Sequence, residues 1–239
     1  MVKKYFLTRR NLRDLVIALS AGSAIPFDTG NAEKCIAFGM LGLGCFIHCI
    51  SKGTLIRNVV LCTKGIYQVV RHPYYLANYL IDWSFCLLSG NLFLLLLYPF
   101  LFFLAYGPTI RSEEQLLFVK HSGAFIKSTI KIPQVFPDIH SLRNISMIFD
   151  GFSPRRITRK ECFRITKFFA VSIFLASIHY IGEDITSALC QNGFSSIQGF
   201  KELLSFLSVS FLIVFYITRG IFLSTSNKDA NIHQGTHPS

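Results

Sequence analysis

Residues 74–107 read YYLANYLIDWSFCLLSGNLFLLLLYPFLFFLAYG, and this stretch decides the fold class. Within it stand one charged side chain, Asp82, and one polar interruption, Ser89-Gly90-Asn91. A hydrocarbon core about 30 Å thick asks for roughly 20 apolar residues per spanning helix. Two runs approaching that length, split by so short a turn, form a helical hairpin. Comparable apolar blocks lie at residues 12–27, 35–50, 165–182 and 203–218. Hydrophobic residues make up 51% of the 239 and charged residues 15%, with a mean hydropathy of +0.45, where a soluble domain carries about 25% charged residues. An open sheet would leave backbone groups unpaired in lipid, so the spans are helices. The expectation is an all-α, polytopic transmembrane helix bundle of about six spans, with a short cytoplasmic amphipathic helix.

The net charge of +11 follows the same topology. With the N-terminus in the cytoplasm, Lys3, Lys4, Arg9, Arg10 and Arg13 flank the first span. The cytoplasmic segments then hold all of the 24 basic residues except Lys34 and Lys201. Asp28, Glu33, Glu183, Asp184 and Glu202 fall outside. Lys and Arg concentrate on the cytoplasmic side of membrane proteins, so this basic excess reads as topology plus attraction to anionic lipid. A nucleic-acid partner is the weaker reading. Both termini are expected in the cytoplasm, in a bacterial inner membrane or a membrane of the endoplasmic-reticulum type. The basic start, apolar run and Ala21-Gly22-Ser23-Ala24 have the outline of a signal peptide, but five further blocks make them a retained first span.

Four segments are expected: a two-span N-terminal part at 1–60, a compact core at 61–140, a second two-span part at 141–223, and a polar, disordered tail at 224–239. Ser51-Lys52-Gly53 and Lys64-Gly65 mark turns in the connector before the third span. Pro99 is expected to kink the fourth. Ala18, Gly22, Gly39, Gly42 and Gly44 suit close helix contact and lack the strand–turn–helix setting of a dinucleotide fingerprint. Seven cysteines, an odd number without a Cys-x-x-Cys, argue against a disulfide framework or a zinc site. Cys45, His48 and Cys49 share a helix face, where thiols pack as small hydrophobes, and no metal is expected.

Chemistry concentrates at Gly65-Ile66-Tyr67-Gln68-Val69-Val70-Arg71-His72-Pro73-Tyr74-Tyr75-Leu76. Pro73 suits the first turn of a helix, which sets Arg71 and His72 beside its positive end, where an anionic group finds free N–H donors. Tyr75, Leu76, Tyr79 and Trp83 follow on His72's face, offering aromatic surface to a flat ring. The same residue types also serve as plain interfacial anchors. Downstream, Ser112 and Gln115 are spaced as a capping box, with Glu113 and Glu114 in the first turn of the helix it would start. The hairpin brings this acidic pair toward Arg71 and His72, a site of mixed charge. Asp82, an acid inside a span, is a functional candidate by default, facing a polar cavity or bonding Asn78.

Taken together, Gly65, Tyr67, Arg71-His72-Pro73 and Tyr75, then Glu113-Glu114, Leu116-Leu117, Gly123, Phe125, Pro133 and Pro137, resemble the isoprenylcysteine carboxyl methyltransferases and related phospholipid methyltransferases. The resemblance covers about a third of the chain. It implies an S-adenosylmethionine-dependent enzyme acting on a membrane-embedded lipid or lipidated acceptor. It places the cofactor among Gly65, Tyr67, His72, Pro73, Tyr75, Leu76, Glu113, Glu114 and Pro133, with Lys131-Ile132-Pro133 closing the pocket, and gives catalytic roles to Arg71 and Glu114. Three features depart from the pattern: Ala77 stands where a glycine is common, Asp82 is charged, and about a hundred residues follow the prolines. The competing readings are an NADPH-dependent membrane reductase of the sterol or steroid type and a non-catalytic protein on the same scaffold. Those reductases share a His-Pro-x-Tyr-like segment, but their resemblance points to Asn before the Tyr and to Arg-Asp and Lys-Tyr-Gly downstream, where this chain has Tyr74, Ser112-Glu113-Glu114 and Lys120-His121-Ser122-Gly123. Neither the acceptor nor the oligomeric state is implied more narrowly.

Overall fold

The computed structural model describes residues 9–24, 27, 29–55 and 62–192. Among these, every regular element is helical: α1 Arg9–Ser23, α2 Asn31–Thr54, α3 Pro73–Leu88, α4 Leu92–Lys131, α5 Ile139–Leu142 and α6 Arg159–Asn192, with short 3₁₀ turns between. Three helices are long and apolar enough to cross a membrane: Asn31–Thr54, Leu92–His121 and Arg159–His179. The chain is an integral membrane protein. The block at 203–218 and the tail at 224–239 lie outside the described residues.

α1 and α3 are shorter than the expected spans, at 15 and 16 residues. At 1.5 Å per residue α3 rises about 24 Å, and it is tied to its neighbours near both ends. At one end Arg9 of α1 bonds Tyr75 of α3, and His48 of α2 meets Glu161 of α6. At the other, Asn91 bonds Ser23, and His179 meets the Leu88 carbonyl and Thr29. Consecutive long helices therefore run antiparallel. α3 is sheathed by α1, α2 and α4, and most of its residues are buried, polar Asn78, Asp82 and Ser84 included.

Of the four glycines expected at close helix contacts, Gly44 alone makes one. A Cβ there would press on the Ile81 side chain and Ala77 carbonyl of α3, whereas Gly22, Gly39 and Gly42 face open space. The hairpin turn forms where expected, with Gly90 at φ 66° and the Asn91 side chain accepting from the Leu94 N–H.

α4 differs from expectation. Its backbone leaves helical geometry at His121, not at Pro99 or Pro108, because a helix packed among neighbours tolerates the missing N–H groups. No new helix begins at Ser112. Its hydroxyl turns back to the Thr109 carbonyl at 2.8 Å, a bond made inside a continuing helix. Glu113 and Glu114 thus project from mid-helix, and the second helix of the pair begins only after the break at His121.

The segment after α5 returns to the end of α2. The Arg156 guanidinium donates to the carbonyls of Gly53, Thr54 and Gly151, satisfying acceptors that a helix terminus leaves open. Contacts divide the chain at Tyr180; the second unit begins with the remainder of α6.

Candidate functional site

The Arg71–His72 peptide is strapped to the chain beyond α4. Arg71 N–H donates to the Pro133 carbonyl and His72 N–H to the Gln134 carbonyl, both at 2.9 Å. These are donors at the start of α3, which has no side-chain cap. The strap carries Gln134 to Glu114, whose Oε2 accepts from Gln134 Nε2 at 2.9 Å. Glu114 Oε1 meets Arg71 Nη1 at 2.9 Å and His72 Nε2 at 3.2 Å. A carboxylate only accepts, so His72 Nε2 is the donor of this bond. Three chain segments thus converge on one carboxylate.

Glu113 has a different setting. Its Oε1 accepts from the Tyr75 hydroxyl at 2.6 Å, and Arg9 Nη1 donates to the same hydroxyl at 2.9 Å. The Glu113 side chain is 44% exposed against 19% for Glu114. The neighbouring carboxylates therefore divide the work, Glu114 locked into the scaffold and Glu113 open at its edge.

An open cavity of about 610 Å³ lies against the locked carboxylate, lined by Arg111, Glu114, Gln115, Phe118, Val119 and Phe125. Phe125 also carries the Arg71 guanidinium, 5.9 Å from its ring centre. Arg71 Nε is buried and has no hydrogen-bond partner among the described residues. The cavity offers both charges and two aromatic rings.

The structure brings together Arg71, His72, Tyr75, Glu113, Glu114 and Pro133, the last through its carbonyl. Pro73 is the first residue of α3, and Leu76 is buried behind it. Gly65 and Tyr67 sit elsewhere. Gly65, at φ 58°, packs beneath the Asp150 and Ile148 carbonyls, and the Tyr67 hydroxyl donates to the Ser51 carbonyl of α2. The aromatic face below His72 is already filled: Tyr79 meets Tyr98, Phe102 and Phe136 at 4.9–5.5 Å, and Trp83 Nε1 donates to the Leu95 carbonyl. The aromatic side chains that line the cavity are Phe118 and Phe125 instead. Arg9 and Gln134 were not foreseen. The spaced prolines could have pointed to Gln134; nothing local points to Arg9.

Asp82 does not line this cavity. It is fully buried and bonded to Arg13 Nε at 2.6 Å and the Tyr98 hydroxyl at 3.2 Å, while Arg13 Nη2 donates to Asn78 at 2.9 Å. Arg13, counted above with the cytoplasmic flank, is an internal counter-ion, and its guanidinium also lies over Phe168 of α6. His48 is likewise engaged, 2.9 Å from Glu161 and 4.7 Å ring to ring from Tyr74. Among the described residues no three His, Cys, Asp or Glu side chains gather to hold a metal.

Residues 41–116 match a family described as "Protein of unknown function (DUF1295)". The matched stretch runs from α2 to α4, containing Arg71, His72, Tyr75 and both glutamates but ending before the strap. Its description names no chemistry, methyl transfer included. No curated protein and no solved structure matches the chain.

Proposed function

We propose that this chain is a membrane methyltransferase that uses S-adenosylmethionine and acts on a lipid or lipidated acceptor. The observation that carries the reading is the three-way lock on Glu114, which joins the Arg-His-Pro run, the Glu pair and the proline segment of the methyltransferase-like pattern beside an open cavity.

Phe118 and Phe125 would receive the adenine, Arg111 the carboxylate of the amino-acid tail, and Glu113 with Glu114 the cationic end. Bound there, the cofactor supplies an electrophilic methyl group. The protein's own part is positioning and exclusion of water. Arg71, tied to Glu114 yet keeping an unused buried N–H, would hold an anionic acceptor. Three donors on its two oxygens leave Glu114 little room to take a proton, so the geometry favours an acceptor that is already an anion, such as a prenylcysteine carboxylate, over an amine or hydroxyl that needs a base. The positive-inside charge pattern supports a cytoplasmic position for this end of the bundle.

Membranes enriched in the protein, given S-adenosylmethionine labelled in its methyl group, are expected to transfer label to the organic extract. The Glu113→Ala and Arg71→Ala variants should lose most of it. Label equal to that of membranes lacking the protein, in the host's own lipids, would count against the reading.

A further inference from the structure

The segment between α5 and α6 exposes a run of large apolar side chains. Ile145, Met147 and Phe149 are 55%, 53% and 56% exposed. In a water-facing loop such a run is unfavourable, because each side chain keeps its apolar area in water. Its position on α2 resolves this. The Phe149 ring lies 6.1 Å, edge on, from Phe46, and 6.1 Å from Phe152. Phe152 covers Gly53, where a Cβ would collide with its ring. Phe46 and Gly53 are two turns apart on one face of α2, and Ser153 N–H donates to the Gly53 carbonyl at 3.0 Å. Residues 149–153 therefore run along α2 from its end back toward Phe46.

That face of α2 is exposed and apolar. Ile36, Leu43 and Phe46 all stand exposed on it at helical spacing, on a helix long and apolar enough to span a bilayer. Phe46 is about 12 Å along the axis from Thr54, so Phe149 reaches the level of the acyl chains. Basic residues surround the same segment. Arg143, Arg155, Arg159 and Lys160 are exposed, against the single exposed acid Asp150 between them. Apolar side chains at membrane depth with cations above are the arrangement of a segment lying in the interface.

We propose that residues 143–152 form an interfacial segment of the same bilayer, with Ile145, Met147 and Phe149 set among acyl chains and the flanking basic residues on anionic headgroups. The occupant of this surface is lipid, and the inference does not depend on any cofactor.

Emission from the F149W variant, in a W83F background and reconstituted into nanodiscs, tests it directly. With acyl-brominated lipid the emission should fall by roughly half, as suits a ring 5–10 Å into the boundary, and aqueous iodide should quench it little. The loss should be larger with phosphatidylglycerol than in wholly zwitterionic discs. I145W and M147W in the same background give two independent readings if F149W does not fold. Strong iodide quenching with no effect of brominated lipid at all three positions would overturn the proposal. Equal loss in both lipid compositions would remove the basic residues from it.

Discussion

The Arg13 guanidinium of α1 and the Asp82 carboxylate of α3 meet at 2.6 Å, with Asp82 wholly shielded from solvent. A short first helix is thereby fixed against the central helix of the bundle, and Tyr98 of α4 and Phe168 of α6 attach to the same pair.

Removing one partner of such a pair leaves a buried charge uncompensated, a loss of about 3–5 kcal/mol. Asp82→Leu and Arg13→Met are each expected to unfold at markedly lower denaturant, and the double variant to recover most of the difference. A double-mutant cycle in detergent measures this; additive losses would make the pair incidental. Because Asp82 does not line the cavity beside Glu114, the double variant should keep ligand affinity.

Glu114 is expected to act as a structural lock. In Glu114→Gln the charge-assisted bonds to Arg71 and His72 weaken, each such bond contributing about 1.5–3 kcal/mol. The strap through Pro133 and Gln134 should loosen, and limited proteolysis after α4 should quicken several-fold. Unchanged proteolysis would show that the backbone bonds at Arg71 and His72 suffice alone.

Tyr75 offers a finer test, since its hydroxyl joins Arg9 to Glu113 without holding the lock. Tyr75→Phe should leave thermal stability within about 1.5 kcal/mol, the worth of an ordinary hydrogen bond, while weakening ligand binding about tenfold through a disordered Glu113. A fall in stability with affinity unchanged would assign Tyr75 to packing.

Gly65 should prove structural. At φ 58° any other residue pays about 1–2 kcal/mol for the left-handed backbone, and a Cβ would also press on the Asp150 carbonyl. Gly65→Ala is expected to lower the melting temperature, whereas Gly22→Ala, facing open space, should be neutral or slightly stabilising. Lost affinity with normal stability in Gly65→Ala would restore it to the binding site.

The helical hairpin of α3 and α4 was legible from its apolar runs and its Ser89-Gly90-Asn91 turn, because both signals are local. So was the meeting of His72 with Glu114, since a short turn forces neighbouring helix ends together. The Ser112–Gln115 spacing misled: it marks a helix start only where the preceding helix has stopped, and α4 continues past it to His121. Arg9 and Arg13 were read as topology signals because their partners Tyr75 and Asp82 lie 66 and 69 residues away. Pairing over that distance is set by packing and leaves no mark in the spacing. Gly65 and Tyr67 adjoin the site in sequence but are turned toward α2 by a 3₁₀ turn that periodicity does not reveal.

Binding of S-adenosylhomocysteine, measured beside NADPH on the purified protein in detergent, tests the central claim most directly. Saturable binding of S-adenosylhomocysteine that is lost in His72→Ala and Glu114→Ala, with no response to NADPH, is the predicted result. Saturable binding of NADPH alone would contradict it and point to reductive chemistry at the same lock.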